Sequence, residues 1–472
     1  MEIKNIVTVL LVAFILTSCA PAAKVVPTET AIPTSTFTPI PPTPTITPTL
    51  IPTINIEGQT VPDPRFSNPE LFDLEKPHAP IPQFVHALNS AGVEVSAKAV
   101  NDGLAYKAIK AKNGDIAILL MTTDFPETPY NEGGIPLFVY MRNRKTGDYA
   151  WNVAHLKDIA SLHDILTGAV INAAEEFDLN KKTGMFTNNF NMATMSWSSV
   201  DVPVEIMDRN TKYRLSQISS ENLQEIMWFH LGDIPLENKT FASKDEAVTY
   251  INSEIDKITR KYGDKMTIVN IFNEVNPFNK TVWNLWKKFG DDFFIEIYQH
   301  VRQTIPHAKI IYNESYNYTK SHEGTTYPYS LEIVNTLKGH IDAVGMEMHM
   351  AQSQWGADTP ISVDEMVDIM HSFGIPIYVT ELDVNQTYLS GSEQEKNIKQ
   401  ADIYEMVVRS CVRSEVCEMI NFWGQADPYS WYVFAINEPN AKACLFDENG
   451  NPKLDYYGVL RGLTEGFVPS SQ

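Results

Sequence analysis

The sequence predicts an α/β chain whose main part is a (β/α)8, or TIM, barrel, preceded by a small β-rich N-terminal region. The chain has 472 residues and is 43% hydrophobic, enough for one large core and further segments. After about residue 150, short apolar runs alternate with amphipathic helical stretches, the pattern of a barrel of this kind. No glycine-rich phosphate loop follows these runs, which argues against the main alternative, a doubly wound open sheet.

The first 19 residues predict a signal peptide. A short charged start is followed by the apolar run Ile6–Leu16, which is too short to cross a bilayer comfortably. The run ends in Leu16-Thr17-Ser18-Cys19, which resembles the cleavage box of bacterial lipoproteins. We therefore expect Cys19 to be lipidated and the protein to be a membrane-anchored bacterial lipoprotein, at the cell surface or extracellular. A plain secretory signal is the alternative.

Two further segments precede the barrel. Residues 20–54 form a linker dominated by proline and threonine, which favours extended polyproline II. Residues 55–150 predict a β-rich region, with strand candidates at Asp115–Met121, Pro136–Met141 and Tyr149–Trp151. The role of this region stays open between a carbohydrate-binding accessory module and a structural elaboration, which we favour.

The predicted barrel spans residues 151–466. Its eight strand candidates are Gly168–Ile171, Met192–Trp197, Ile226–Leu231, Met266–Phe272, Lys309–Tyr312, Ile341–Met346, Ile375–Thr380 and Met419–Trp423. Amphipathic helices are predicted between them, for example over Ala247–Tyr262 and Asp292–Thr304.

Charge and composition limit the partners. The net charge of −21 argues against a nucleic-acid partner, because phosphate binding needs basic patches. No Cys/His cluster has metal-ligand spacing, so we predict no metal and no cofactor. We expect a monomer.

Polar residues follow the predicted strands at one end, where a barrel carries its reactive side chains. Asn273-Glu274 follows one strand and Glu381-Leu382-Asp383 follows another, three βα units later. Two carboxyl groups on different strands suit a reaction in which one donates a proton and the other attacks. We interpret Glu314, at the end of a third strand, as a solvated loop acid and assign it no role.

The chain resembles glycoside hydrolase family 10, the barrel-type β-1,4-xylanases, over roughly residues 156–462. The strongest similarities are Phe272-Asn273-Glu274, like the family's acid/base segment, and Val379–Val384, like its nucleophile segment. Supporting segments are Ile311–Asn317, Ile341–His349, Trp423–Trp431, Asp447 and Pro452–Tyr456. Each segment alone is weak evidence, whereas all of them in order are strong.

The resemblance implies a retaining enzyme that cleaves xylan or a related β-1,4-glycan polysaccharide without a cofactor. Glu381 would be the nucleophile and Glu274, initially protonated, the acid/base. The other implied site residues bind substrate, support these two acids or form a disulfide. Asn273, His230, His349, Trp423 and Trp431 would bind substrate, Asp383 and Glu347 would support the acids, and Cys411 would pair with Cys417.

Several positions depart from the family's pattern. With Trp197 in register, Met192, Ala193 and Ser196 stand where the family has Glu-Asn and Lys. Of two histidines usual on the third strand, the second, His230, is kept. Val269-Asn270 replaces Trp-Asp, and Glu347 replaces a glutamine.

These departures leave two other functions open beside a plain xylanase. One is a retaining β-glycanase of another specificity on a related barrel. The other is a surface glycan-binding lipoprotein with a degenerate barrel.

Overall fold

A computed structural model describes most of the chain after residue 50. The described residues are 51–127, 129, 133–143, 146–172, 174–196, 226–230, 236, 239–278, 280–315, 326–351, 361–465 and 467, with only the backbone for 174, 195–196 and 226–230. The predictions for Cys19, for the linker up to residue 50 and for Trp197 therefore lie outside the described residues.

The N-terminal region contains strands and short helices. Its elements are β1 (Thr53–Ile56), β2 (Gln59–Pro62), α1 (Pro64–Ser67), a 3-10 turn (Pro69–Phe72), α2 (Pro80–Ser90), α3 (Ala97–Asp102), β3 (Ala105–Lys110), β4 (Ile116–Thr122), β5 (Ile135–Arg142) and β6 (Tyr149–Val153). Strands β3 to β6 form a four-stranded antiparallel sheet in chain order, and β1 pairs with β2. The predicted β-rich character is confirmed, and three helices are added to it.

The remaining elements alternate between strand and helix. The strands are β7 (Leu166–Val170), β8 (Met192–Ser196), β9 (Ile226–His230), β10 (Met266–Asn273), β11 (Lys309–Ser315), β12 (Ala343–Glu347), β13 (His349–Met350), β14 (Ile377–Val384) and β15 (Cys417–Phe422). The helices are α4 (Leu156–Ala160), α5 (Ala174–Thr183), α6 (Met185–Asn189), α7 (Lys244–Tyr262), α8 (Lys280–Phe289), α9 (Asp291–Thr304), α10 (Tyr327–Thr336), α11 (Val363–Ser372), α12 (Glu393–Ser414), α13 (Trp431–Phe434) and α14 (Leu454–Gly462). Further 3-10 turns cover Ser161–His163, Gly263–Lys265, Gln386–Tyr388 and Asp427–Tyr429.

Eight parallel strands close into a ring, as predicted. Each strand from β7 to β11 pairs with the strand that follows it in the chain, β12 pairs with β14, β14 with β15, and β15 with β7. The short β13 pairs with the far end of β14. Inside the ring, Met192, Ile268, Ile311 and Met419 belong to a buried cluster. The (β/α)8 fold class is therefore confirmed.

Local sequence explains the helices. In α7 the buried residues Ala247, Ile251, Ile255 and Thr259 recur every fourth position, so one face of the helix packs on the barrel. Ser392 begins α12 with a capping box, since its hydroxyl accepts from Glu395 N while Glu395 reaches back to Ser392 N.

The N-terminal region packs against the barrel, and residues 51–472 form one compact unit. Helix α2 contacts α14, with the rings of Phe84 and Tyr457 4.8 Å apart. Thr464 Oγ1, just after α14, donates to Gly134 O at 2.7 Å. The N-terminal sheet thus shares a core with the last helix of the barrel.

Cys411 and Cys417 form a disulfide between the end of α12 and the start of β15. Because Cys417 is the first residue of its strand, the bridge lies at the amino-terminal end of the barrel, opposite the predicted site. In the part of the chain that the structure describes, no helix combines the length and apolar character needed to cross a membrane.

Candidate active site

The candidate site lies at the carboxyl ends of four neighbouring barrel strands. Glu274 directly follows β10 and is half-buried, with a φ of 49°. A positive φ is uncommon for a residue other than glycine and typically marks a functional constraint or strain. The backbone N of Glu274 donates to Asn313 O at 3.1 Å, which ties this turn to β11.

Asn313 is the centre of the hydrogen-bond network. Its Nδ2 lies 2.9 Å from Glu381 Oε1, 2.7 Å from Glu347 Oε1 and 2.9 Å from Asn273 Oδ1. Its Oδ1 accepts from Thr380 Oγ1 at 2.6 Å. One buried amide therefore connects side chains from four strands and fixes their relative positions.

A glycine makes room for this amide. Gly345 lies opposite Asn313 in the β11–β12 pairing. A Cβ at position 345 would stand 2.2 Å from Asn313 Oδ1 and 2.9 Å from Thr380 Cγ2, far inside van der Waals contact. The network therefore depends on the absence of a side chain at this position.

Glu381 is 4% exposed and faces His349, whose Nε2 lies 3.2 Å from Glu381 Oε2. On the other side of the ring, His349 Nδ1 lies 3.0 Å from Asp383 Oδ1. The β13–β14 pairing, which sets His349 beside Asp383, creates this arrangement. It also extends β14 to Val384, so Glu381 lies within the strand and not directly after it as the sequence suggested.

Asp383 is itself held by two donors. Trp431 Nε1 donates to Oδ2 at 2.7 Å, and the Tyr432 hydroxyl donates to Oδ1 at 3.2 Å. Burial by itself lowers the pKa of His349, but Asp383 and Glu381 outweigh it and raise that pKa to about 10. His349 is therefore an imidazolium at neutral pH, aimed at Glu381.

Glu347 is a buried carboxyl group between the two predicted catalytic acids. It forms a hydrogen bond with Glu274 and lies close to Glu381. Burial raises the pKa of Glu347 well above its ordinary value, and the neighbouring acids Glu381, Glu274 and Glu314 raise it further. Glu274 and Glu381 thus reach the same small cluster from opposite sides.

The expectation for Glu314 is wrong. Its side chain is buried inside the protein, with Oε1 accepting from Asn276 Nδ2 at 2.9 Å and Oε2 from the Tyr312 hydroxyl at 2.6 Å. Burial, opposed in part by these bonds, raises the pKa of Glu314 to about 8. The strand β11 continues to Ser315, so Glu314 belongs to the barrel wall and not to a solvated loop.

Two tryptophans border the histidine. The ring centroids of Trp423 and Trp431 lie 6.2 and 5.1 Å from that of His349, and both indoles are partly exposed. This places two aromatic surfaces beside Glu381, where a sugar ring can stack.

Within the described residues, one group has the spacing of a metal site: Glu347, His349 and Glu381, whose ligand atoms lie within 4.8 Å of one another. A ligating histidine must be neutral. His349 instead holds a proton between two carboxylates, so the arrangement fits an ion-paired histidine.

The comparison with protein families gives the decisive observation. The model described as Glycosyl hydrolase family 10 matches residues 156–461, which include the whole network. The chain belongs to glycosyl hydrolase family 10.

Individual family-10 proteins are distant relatives. Endo-1,4-beta-xylanase B of Thermotoga neapolitana is 26% identical over 228 residues, 47% of this chain and 64% of that protein. Endo-1,4-beta-xylanase 2 of Aureobasidium pullulans is 27% identical over 288 residues, 58% of this chain and 74% of that protein. The first alignment thus spans less than two thirds of the relative's length.

Solved structures share the barrel. Native xylanase 10B from Thermotoga maritima aligns with a TM-score of 0.53 at 21% identity, over 66% of this chain and 98% of that chain. Xylanase 10B from Thermotoga petrophila, solved with xylobiose, aligns with a TM-score of 0.53 at 23% identity, over the same shares. At these identities the likeness shows the fold.

The family-10 barrel brings together most of the predicted site residues. Glu274, Glu381, Asn273, His349, Asp383, Glu347, Trp423 and Trp431 all join the site by the contacts above. His230 is the last residue of β9, next to β10, and its side chain lies outside the described part of the structure.

Sequence reasoning missed the central role of Asn313. The segment Ile311–Asn317 was noted for its resemblance, without a function for the amide. The sequence did contain a signal, because three residues with polar groups, Tyr312-Asn313-Glu314, stand together near a strand end. Consecutive strand residues point to opposite faces, so Asn313 must point away from the face that Tyr312 and Glu314 share.

Proposed function

We propose that this chain is a retaining endo-1,4-β-xylanase-like glycoside hydrolase that cleaves β-1,4-xylosidic linkages in xylan by double displacement. The observation that carries the proposal is the network in which Glu274 and Glu381 meet around Asn313 and Glu347 at the carboxyl rim of the barrel. The xylanase names of the relatives support the substrate class. The xylobiose in the similar structure from Thermotoga petrophila does so too.

In the first step, Glu381 attacks the anomeric carbon while Glu274 gives its proton to the leaving glycosidic oxygen. The carbon–oxygen bond to the leaving sugar breaks as the ester bond to Glu381 forms. The imidazolium of His349, 3.2 Å from Glu381 Oε2, orients the nucleophile before attack.

In the second step, the Glu274 carboxylate takes a proton from water, and the water oxygen attacks the anomeric carbon. The ester to Glu381 breaks, so the sugar leaves with the configuration it had before. Asn273, whose Oδ1 accepts from both Asn270 Nδ2 and Asn313 Nδ2 at 2.9 Å, is oriented to bond the sugar hydroxyl next to the reacting carbon.

One observation favours a second candidate, a retaining β-glycanase of another specificity. Met192 and Ala193 stand in the register of the family's Glu-Asn, and both are fully buried. Neither side chain can contact a sugar. The hydrogen bonds to substrate that a glutamate and an asparagine would make from these two positions are therefore absent. The two candidates differ in which polysaccharide is cut, and product analysis on purified xylans and β-glucans separates them.

We also propose that the enzyme is a monomer held at the bacterial cell surface by a lipid on Cys19. The Pro/Thr-rich linker supports this, because an extended polyproline chain of this length reaches on the order of 100 Å. A Cys19→Ala variant should lose labelling by radioactive palmitate and appear in the medium. Retention of both the label and the membrane association would contradict the anchor. Light scattering of the purified protein tests the monomer.

Covalent labelling tests the nucleophile. A 2-deoxy-2-fluoro xylobioside with a dinitrophenolate leaving group should attach one sugar to the protein, and peptide mapping should locate it on Glu381. Absence of label with both pentose and hexose reagents would favour the degenerate, glycan-binding alternative.

Substitution tests the acid. Glu274→Ala should lower kcat/KM on xylan by roughly 10²- to 10⁴-fold and much less on an activated aryl glycoside, which needs no proton. Asp264→Ala is the matched control, since this carboxylate precedes the same strand at its opposite end and is 74% exposed. Equal losses on both substrates would contradict the acid role.

A further inference from the structure

Glu347 is the structural feature that the proposed reaction does not yet use. It is the last residue of β12 and is 3% exposed. Asn313 Nδ2 donates to its Oε1, and a second hydrogen bond joins it to Glu274. A carboxyl group in this place can be an anion or a proton carrier, and the surroundings decide which.

The charged groups around Glu347 come from four elements. Glu381 faces it from β14, Glu274 from the turn after β10, Glu314 from β11 and His349 from β13. Among these described neighbours His349 is the one cation, and it is already shared between Glu381 and Asp383.

A further anion at Glu347 would have no counter-charge in a buried site. Like carboxyl groups this close cannot all ionise, so one or more of them retain a proton. The carboxylate of Glu381 is stabilised by the imidazolium of His349. Glu347 instead contacts the neutral amide of Asn313 and the carboxyl group of Glu274, neither of which supplies a positive charge. The proton therefore belongs on Glu347 in the resting enzyme, in accord with the direction of its pKa.

We propose that Glu347 is a proton-bearing positioning residue that keeps Glu274 hydrogen-bonded in both halves of the reaction. This inference rests on the proposed function for its kinetic part. Before the first step, both Glu274 and Glu347 are neutral acids and each can hydrogen-bond the other.

After Glu274 has given its proton to the leaving oxygen, the hydroxyl of Glu347 donates to the new carboxylate. The anion on Glu274 is thereby stabilised while Glu381 is a neutral ester. Water then returns a proton to Glu274, and the proton of Glu347 stays in place throughout. Glu347 forms and breaks no covalent bond to the sugar.

The proposal predicts a shift in the pH profile. When one proton leaves the Glu274–Glu347 pair, the proton that remains on Glu347 forms a hydrogen bond to the Glu274 carboxylate, and this bond stabilises the singly charged pair. In Glu347→Gln, the anion on Glu274 receives only an amide hydrogen bond. The first proton then leaves less readily, and the alkaline limb of kcat/KM should move up by about one pH unit.

Kinetic comparison of three proteins tests the role. Wild type, Glu347→Gln and Glu347→Leu are assayed across pH on phenyl xylobioside, whose poor leaving group needs the proton of Glu274. The leucine variant, which has no hydrogen bond to offer, should lose roughly tenfold to a hundredfold in kcat with little change in KM. The glutamine variant should recover most of that loss. An alkaline limb that stays in place, or moves down, in Glu347→Gln would overturn the proposal.

An infrared difference spectrum between wild type and Glu347→Gln tests the proton without turnover. At neutral pH the wild type should show a carbonyl band of a protonated carboxylic acid that the variant lacks. A missing band would overturn the proposal even if the enzyme cleaves xylan. A protein that shows the band but has no hydrolytic activity on any glycan would refute the proposed function and leave the protonation of Glu347 standing.

Discussion

Replacing Glu314 by glutamine should make the protein more stable at neutral pH. The carboxyl group is buried, and its pKa rises from 4.5 to about 8 in the folded protein. Between those values the folded state binds more protons than the unfolded state, so stability falls as pH rises. At pH 7 the cost is about 3 kcal/mol, since each pH unit above 4.5 adds about 1.4 kcal/mol. A glutamine, which is neutral at every pH, avoids this cost.

The hydrogen bonds of Glu314 can survive the substitution. Its Oε1 accepts from Asn276 Nδ2 and Ser315 N, roles that a glutamine oxygen fills. The glutamine NH₂ can donate to the Tyr312 hydroxyl, whose own proton then points to Val275 O at 3.4 Å. Packing is unchanged because the two side chains are nearly the same size.

Denaturant titrations of wild type and Glu314→Gln at several pH values measure the effect. The free energy of unfolding of Glu314→Gln should differ little from that of wild type near pH 4.5 and exceed it by about 3 kcal/mol at pH 7. For a folded unit of this length, 3 kcal/mol corresponds to a rise of roughly 3–4 °C in Tm. Glu448→Gln, at an exposed loop position, is the control and should change neither value. A difference that does not vary with pH would show that Glu314 is not a buried acid with a raised pKa.

Three other predictions follow from the same network and its support. Gly345→Ala should displace Asn313 and reduce activity by at least about 10²-fold in a protein that still folds by circular dichroism, since misplacing catalytic groups by an ångström costs this much; normal activity would contradict the central role of the amide. Asp383→Asn should lower the pKa of His349 from about 10, because the Asp383 charge is the largest influence raising it, and NMR titration of the ring reports the change; an unaltered titration would mean that Glu381 alone holds the proton. Cys411→Ala should lower the free energy of unfolding by about 2 kcal/mol, the chain-entropy value for a loop this short, with activity retained because the bridge lies at the opposite end of the barrel; a loss of activity at unchanged stability would argue against a structural bridge.

The barrel could be predicted from the sequence because its strands are short apolar runs separated by amphipathic helices. The predicted helices at Ala247–Tyr262 and Asp292–Thr304 match α7 and α9 to within a few residues. Strand ends were harder to predict. The pairing of β13 with β14 adds residues beyond Thr380, and such a contact between distant segments leaves no local pattern.

Glu274 and Glu381 could be picked out from the sequence because each comes after an apolar run, in a segment that resembles the family. Glu314 follows one as well, yet its burial depends on Asn276 and Tyr312 closing over it. Whether a carboxyl at a strand end is solvated or enclosed depends on such neighbours, and Asn276 comes from the loop after a different strand, β10. For the same reason the protonated state proposed for Glu347 could not be read from its position alone.

The closure of the ring has a consequence for how the protein is made. One edge of the first barrel strand, β7, stays unpaired until β15 has been synthesised, about 250 residues later. Helix α2 likewise stays uncovered until α14 has been synthesised. During synthesis the growing chain therefore carries unpaired strand edges and exposed apolar faces, which promote aggregation. A truncation that removes α14 should leave the ring of strands closed but α2 uncovered, so this helix completes the core that the N-terminal region shares with the barrel.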